Sequence, residues 1–321
     1  MNKIIKFLQQ GFDVFVKNKT RSFLTVFGIS IGIAMVILVL SAGNGVKSVV
    51  MSEIASFGDN WINIEVKIPT AAKNSSENST AIAQGVTIKT LTTKDKDAIV
   101  SLDSVKQAYA GITSQTVISN DIKKESATIF GVSSEYFLIN QGKINKGFAY
   151  TEADDKKGAQ VVVLGATIAE TLFGNQNVIN ETVKLNGKGY RVVGVMEPLG
   201  ATGFMDMDSI IYVPAATVQQ KIMGVKHILW IVADLEDAVE NSDYVADEIT
   251  AILRDRHNID TPDKDDFAVT TLAESVEIVD TILLGITWLL IALSAISLAV
   301  GGVGIMNIMY VSVAERTFEI G

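Results

Sequence analysis

TILLGITWLLIALSAISLAVGGVGIMNIMYVSVA, residues 281–314, runs for 34 positions between Asp280 and Glu315 without a charge. SFLTVFGISIGIAMVILVLSAGNGV, residues 22–46, does the same for 25 positions between Arg21 and Lys47. About 20 apolar residues suffice to carry a helix across roughly 30 Å of hydrocarbon, so both runs predict transmembrane spans. The 233 residues from Lys47 to Val279 read instead as a polar globular chain, looped out between the spans. The mean hydropathy of +0.32, with 48% apolar residues, therefore resides at the two ends and excludes an ordinary cytosolic protein.

Charge separates the same segments. Residues 1–22 hold five cations, Lys3, Lys6, Lys17, Lys19 and Arg21, against Asp13 alone, a net of +4. Residues 43–280 hold 21 basic against 33 acidic groups, a net of −12. The basic flank places the amino terminus in the cytoplasm and the acidic domain outside, in a multi-pass protein of the cell membrane. The acidic domain argues against nucleic acid as a partner. A cleaved signal peptide is the rival reading of the first run, but Phe23–Ala42 is about twice the usual apolar length and follows a long preface. In that preface Ile4, Ile5, Leu8, Phe12, Phe15 and Val16 recur at helical spacing, which predicts an amphipathic helix on anionic membrane lipid over residues 1–20. An ordinary helix packed on protein would show the same pattern.

Within the spans, Gly28 and Gly32 form a small-xxx-small pair, and Gly301, Gly302 and Gly304 cluster in the second, so both are candidates for close helix packing. A helix of 34 uncharged residues is about 51 Å long, and Trp288 and Tyr310 lie about 33 Å apart on it, near the spacing of the two interfacial aromatic belts. The excess, Leu272–Thr287, is expected to protrude as a stalk. A steep tilt would also absorb it.

The central region predicts an α+β fold. Strands are expected at Trp61–Val66, Val105–Ser119, Ala127–Gly131, Gln160–Leu164, Ile228–Ala233 and Phe267–Thr271, and helices at Thr92–Leu102, Thr167–Phe173 and Asp237–His257. Asn186–Gly187 between Glu181–Leu185 and Tyr190–Val195 predicts a hairpin, because Asn-Gly supplies the left-handed turn. Pro69–Gln84, rich in Ser, Asn, Thr and Ala, reads as a loop. Strand-helix-strand at each end of the domain suits one ferredoxin-like lobe, with the β-rich middle inserted as a second. The expected organisation is thus an amphipathic helix (1–20), a first span (21–43), lobe 1 (44–117 and 226–271) around an inserted lobe (118–225), stalk and second span (272–310), and the start of a cytoplasmic element (311–321).

Chemistry is sparse. With no cysteine, disulfides, thiolate metal sites and thiol nucleophiles are excluded. His227 and His257 read as surface or helix-end residues, and Asp263, Asp265 and Asp266 as a solvated acidic turn lacking the Gly and closing Glu of a calcium loop. No phosphate-binding Gly-x-x-x-x-Gly-Lys-Ser/Thr, Gly-x-Ser-x-Gly or His-Glu-x-x-His sequence occurs, so no cofactor, metal or catalytic residue is expected, and this stretch does not hydrolyse nucleotide by itself.

Several blocks carry a resemblance: Arg21–Thr25 followed by Gly28–Gly32, Gly131–Phe137, Val163–Thr167 with Leu172–Gly174, Tyr190–Glu197, Gly301–Met309, Val311–Val313 and Glu315–Gly321. In this order they resemble the MacB-like, FtsX-related ABC transporter permeases of the macrolide-exporter type. The resemblance implies a homodimeric permease driven by a cytoplasmic ATPase, with an adaptor or membrane-fusion protein as a further partner. It implies four spans with the external domain between the first two, so that the chain would stop after the second, and an ATPase that is either a separate chain or a fused domain, with none expected before residue 1 here. It also implies that Glu315, Arg316, Phe318 and Glu319 begin the element that touches the ATPase, and that motion is transmitted to the external domain for efflux or export. A membrane-anchored extracytoplasmic sensor or binding protein, or a regulator of cell-wall hydrolases, is the alternative.

Overall fold

The computed structural model describes residues 27, 30–34, 36–39, 41–43, 45–49, 60–69, 88–140, 143–174, 176–198, 201–202, 205–236 and 241–320. The amphipathic segment 1–20, Gly28 and nearly all of the Pro69–Gln84 loop lie outside these residues. Two compact units are distinguished: Met1–Ser48 with Glu277–Gly321, and Val49–Val276.

The larger unit holds strands β1 (Trp61–Val66), β2 (Val105–Ser119), β3 (Lys124–Val132), β4 (Ile144–Gly147), β5 (Val161–Leu164), β6 (Thr182–Leu185), β7 (Lys188–Met196), β8 (Ala201–Thr202), β9 (Met205–Asp206), β10 (Ile210–Pro214), β11 (Trp230–Leu235) and β12 (Phe267–Thr271). With α1 given to the first apolar helix, Ser30–Val49, its helices are α2 (Thr93–Val100), α3 (Tyr136–Ile139), α4 (Glu152–Lys156), α5 (Ala166–Phe173), α6 (Ala215–Thr217) and α7 (Ser242–His257); α8 (Leu272–Ile320) follows. All strands but the β8–β9 ribbon join one sheet in the order β12-β1-β11-β2-β3-β10-β5-β7-β4, with β6 bridging β2 and β7.

Its first four strands, β12-β1-β11-β2, are all antiparallel and form the order of two split βαβ units, β1-α2-β2 and β11-α7-β12. Period-two alternation turns Ile62, Ile64, Ala108, Ala110, Ile231 and Ala233 toward Ile99 of α2 and Val245, Ile249 and Leu253 of α7, closing one core. The second half of β2 leaves that layer: Ile118 and Ser119 pair with Leu185 and Lys184 of β6, which closes a ring β2-β3-β10-β5-β7-β6. Ile112, Ile129, Val162, Leu164, Ile211 and Val213 share a second core with Ile168 and Leu172 of α5. Alternate residues on the same strands, Val161, Val163, Ile210 and Tyr212, face a third cluster with Trp61, Tyr109, Tyr136 and Tyr150. Each such large apolar side chain contributes about 1.5–3 kcal/mol on burial.

Local signals set many boundaries. The Asn186–Gly187 turn has φ of 47° and 79°, so the hairpin joins β6 to β7 as its sequence requires. Asn241 caps α7 by accepting from the amides of Asp243 and Tyr244, so this helix begins at Ser242 and not at Asp237. Strand β11 starts at Trp230, two residues later than expected, because Ile228 donates to Leu91 and Leu229 to Gly111. β10 was not anticipated: Ile210–Pro214 is a fully buried run without alternation, and Pro214 hides its strand character.

In the other unit, α1 and α8 present Ile31, Ile33, Ile37 and Leu38, and Ile282, Trp288, Leu289, Ile296, Met306 and Met309, outward. Both are long and apolar enough to cross a membrane, and outward apolar side chains along their length are what hydrocarbon requires.

Candidate functional site

β1, the first described strand, and β12, the last, are antiparallel neighbours, with Ile62 opposite Thr271 and Val66 opposite Phe267. The first residue of β1, Trp61, and the first residue of α8, Leu272, both meet the aromatic cluster of Tyr109, Tyr136 and Tyr212. Tyr109 and Tyr136 pack edge to face with centroids 5.1 Å apart, and Phe137 packs likewise on Tyr150 at 5.0 Å. Burial raises the phenols of Tyr109, Tyr136 and Tyr150 and pushes Tyr212 up to about 12, so this cluster stays neutral. Tyr150 satisfies its hydroxyl by donating to the Val132 carbonyl at 2.8 Å.

Thr271 fixes where α8 begins. Its hydroxyl accepts from the Glu274 amide at 3.1 Å and contacts Asp243 Oδ1 of α7 at 3.3 Å, while Ser275 Oγ donates to the Thr271 carbonyl. The Thr-x-x-Glu spacing is a helix-start signal legible in the sequence.

Behind this edge lies a charge clamp built from three cations near the end of α7. Arg254 makes a two-pronged bond to Asp265, Nε to Oδ1 at 2.8 Å and an Nη to Oδ2 at 2.7 Å. Arg256 Nε donates to Asp95 Oδ1 at 2.7 Å. His257 Nδ1 lies 2.7 Å from Asp266 Oδ1, and its Nε2 lies 3.6 Å from Asp95 Oδ2, an ion-pair distance too long for a hydrogen bond. The bond to Asp266 and the pairing with Asp95 outweigh burial and raise His257 to about 9, so it is held as the imidazolium. Burial would raise Asp95, but His257, Arg256 and Thr92 together hold it well below the usual carboxylate range. The clamp joins the start of α2, the end of α7 and the loop that leads into β12. It overturns one expectation and divides another: Asp265 and Asp266 are paired rather than solvated, and His257 ends α7 as expected but with its side chain interior rather than on the surface. His227 is interior too, 5% exposed, and burial lowers it. Nothing local betrays the pairing of Asp95 with Arg256, since the two are 161 residues apart.

Among the described residues no group of His, Cys, Asp or Glu could hold a metal. Of the residues named for helix packing, Gly32 and Gly301 are buried, Gly304 is half-buried and Gly302 is exposed. Glu315, Arg316, Phe318 and Glu319 fall on the last turns of α8. Lys47 Nζ lies 2.7 Å from Asp280 Oδ1 within the helical unit, a pairing that no sequence motif marks.

Within the domain, this arrangement ties β12 and the first turn of α8 to α7 and to the aromatic cluster. Residues 22–252 match the family model of the MacB-like periplasmic core domain. Proteins described as macrolide export ATP-binding/permease protein MacB are similar throughout. The one from Bdellovibrio bacteriovorus is 30% identical over 323 residues, all of this chain and 48% of the relative. That from Chlorobium luteolum is 33% identical over 323 residues, 99% of this chain and 47% of the relative. The chain therefore spans about half the length of these curated relatives. In fold, the domain is similar to the periplasmic region of MacB from Actinobacillus actinomycetemcomitans, with TM-score 0.58, 24% identity, and coverage of 71% of this chain and 95% of that one. It is also similar to the extracellular domain of the noncanonic ABC-type transporter YknZ from Gram-positive bacteria, with TM-score 0.52, 20% identity, and coverage of 66% and 100%. With the family model matched across the first apolar helix and most of the domain, the chain belongs to the MacB-like periplasmic core domain family.

Proposed function

We propose that the chain is the membrane-anchored permease part of an ABC transporter of the MacB type, and that it relays motion of a cytoplasmic ATPase to its external domain. The observation that carries this reading is family membership, together with a domain whose first and last described strands, β1 and β12, are antiparallel neighbours. An uninterrupted helix from Leu272 to Ile320, about 73 Å at 1.5 Å per residue, is suited to carry displacement across a bilayer and beyond it. In this reading the split βαβ half and the ring half act as two lobes, the amino terminus is cytoplasmic, and the permease works as a homodimer. ATP hydrolysis belongs to the ATPase, and an adaptor or membrane-fusion protein meets the external domain. The transported class is an antibiotic, peptide or lipoprotein.

Glu315, Arg316, Phe318 and Glu319 are the first charges and the aromatic residue after the apolar run, and they form the ATPase contact in this reading, Phe318 as anchor and the charges as rim. Gly28, Gly32, Gly301, Gly302 and Gly304 serve helix packing. The test is co-purification from membranes with the ATPase. The double variant Glu315→Ala, Phe318→Ala is expected to insert normally but to reduce ATPase recruitment or stimulation about tenfold, the loss of one anchor. Normal recruitment and transport in that variant reject the coupling assignment, and failure of any ATPase to associate with the unaltered protein favours a membrane-anchored binding protein instead. Orientation is checked separately: a cysteine at Lys73 is expected to react with an impermeant reagent in intact cells, and one at Lys6 is not.

A further inference from the structure

Lys47 is the first charge after the 25-residue uncharged run and Asp280 the last charge before the 34-residue run. These two boundary charges meet each other, Nζ to Oδ1 at 2.7 Å, each side chain about half exposed. The helices continue from this contact in opposite chain directions. Gly32 lies fifteen residues before Lys47, and Ser294 lies fourteen residues after Asp280; both are buried, among apolar neighbours that are mostly exposed. Burial of small residues at matching depth on the two helices fits an antiparallel pair whose register the ion pair fixes at its outer end. A pair at the edge of hydrocarbon is screened less than one in open water, and helical backbones on both sides limit the side-chain freedom that weakens most surface pairs.

We propose that Lys47 and Asp280 form an interfacial clasp that sets the register of the first and second spans, and that it must open before those helices can slide along each other. The proposal rests on reading both segments as spans, and on nothing about ATPase or cargo. Gly43 and Gly285 lie four and five residues from the clasp on the two helices, and a side chain added at either meets nothing within 4 Å. Because the sequence contains no cysteine, nitroxide labels on Gly43→Cys and Gly285→Cys report that one distance without background. With the full chain in lipid nanodiscs, the labels are expected to show dipolar broadening. The broadening is lost in Lys47→Asp and in Asp280→Lys, and regained when both reversals are combined. Unchanged broadening in the single reversals, or no recovery in the double, overturns the clasp. Where a reversal blocks insertion, Lys47→Gln and Asp280→Asn remove one charge with little change of shape, and the same loss is expected. Resistance to alkaline carbonate extraction tests the spans themselves, so a chain that washes off the membrane fails that reading and not the clasp.

Discussion

His257 stands between two carboxylates from different elements, Asp95 at the start of α2 and Asp266 before β12. Its folded value of about 9 lies above the ordinary 6.5, so its contribution is complete below about pH 6.5 and is lost as pH rises through 9. The domain is therefore expected to lose about 2–3 kcal/mol of stability between pH 7 and 9.5. His257→Gln removes that slope and lowers stability at pH 7, as denaturant titrations at each pH will report. The buried tyrosines interfere only at higher pH.

Asp155 has the opposite sign. Burial drives it up to about 6 against the bond it accepts from the Ala216 amide, and Glu135 adds repulsion that Lys96 partly offsets. Its ionised form is thus disfavoured in the folded state. Relative to Asp155→Asn, the unaltered domain is expected to gain stability of order 1 kcal/mol as pH falls from 7.5 to 5, allowing for partial exposure. Parallel melting curves for the two proteins across that range would contradict it. Neither residue stands out in sequence, because a lone His or Asp acquires its role only from partners brought by the fold.

At the scale of elements, what was legible was what is encoded locally. Trp61–Val66, the Asn186–Gly187 hairpin and the 15-residue β2 follow from alternation and turn chemistry, and each is in place. What was not legible was pairing: β10 lies parallel to β3 although about 80 residues separate them, and β6 closes the ring by reaching back to Ile118. The antiparallel pairing of β2 with β11, which sets Gly111 opposite Trp230, explains a glycine that no local pattern required. A Cβ on Gly111 would fall within the Trp230 indole, whose ring packs on Phe130 at 5.7 Å. Gly111→Ala is accordingly expected to cost about 2–3 kcal/mol through overpacking, with a shift in tryptophan emission; an unshifted denaturation midpoint would show that the indole rotates away freely.

For the whole molecule, the two uncharged runs announce the division into a domain and apolar helices before any contact is known, since hydrocarbon leaves so few alternatives. The three apolar clusters of the domain are all formed within Val49–Val276. A fragment of residues 60–271 is therefore expected to be soluble and to unfold in one cooperative transition. Circular dichroism and gel filtration decide this, and an aggregated or molten fragment would show that the helices contribute to the domain core. The neighbouring placement of β1 and β12 also gives the domain a direction of mechanical weakness. Ile62 faces Thr271, so a load that moves both chain ends together passes into the sheet as a rigid displacement and strains no rung between them. A load that separates the ends bears on the terminal rung first, then on the next, like a zipper opened from its end.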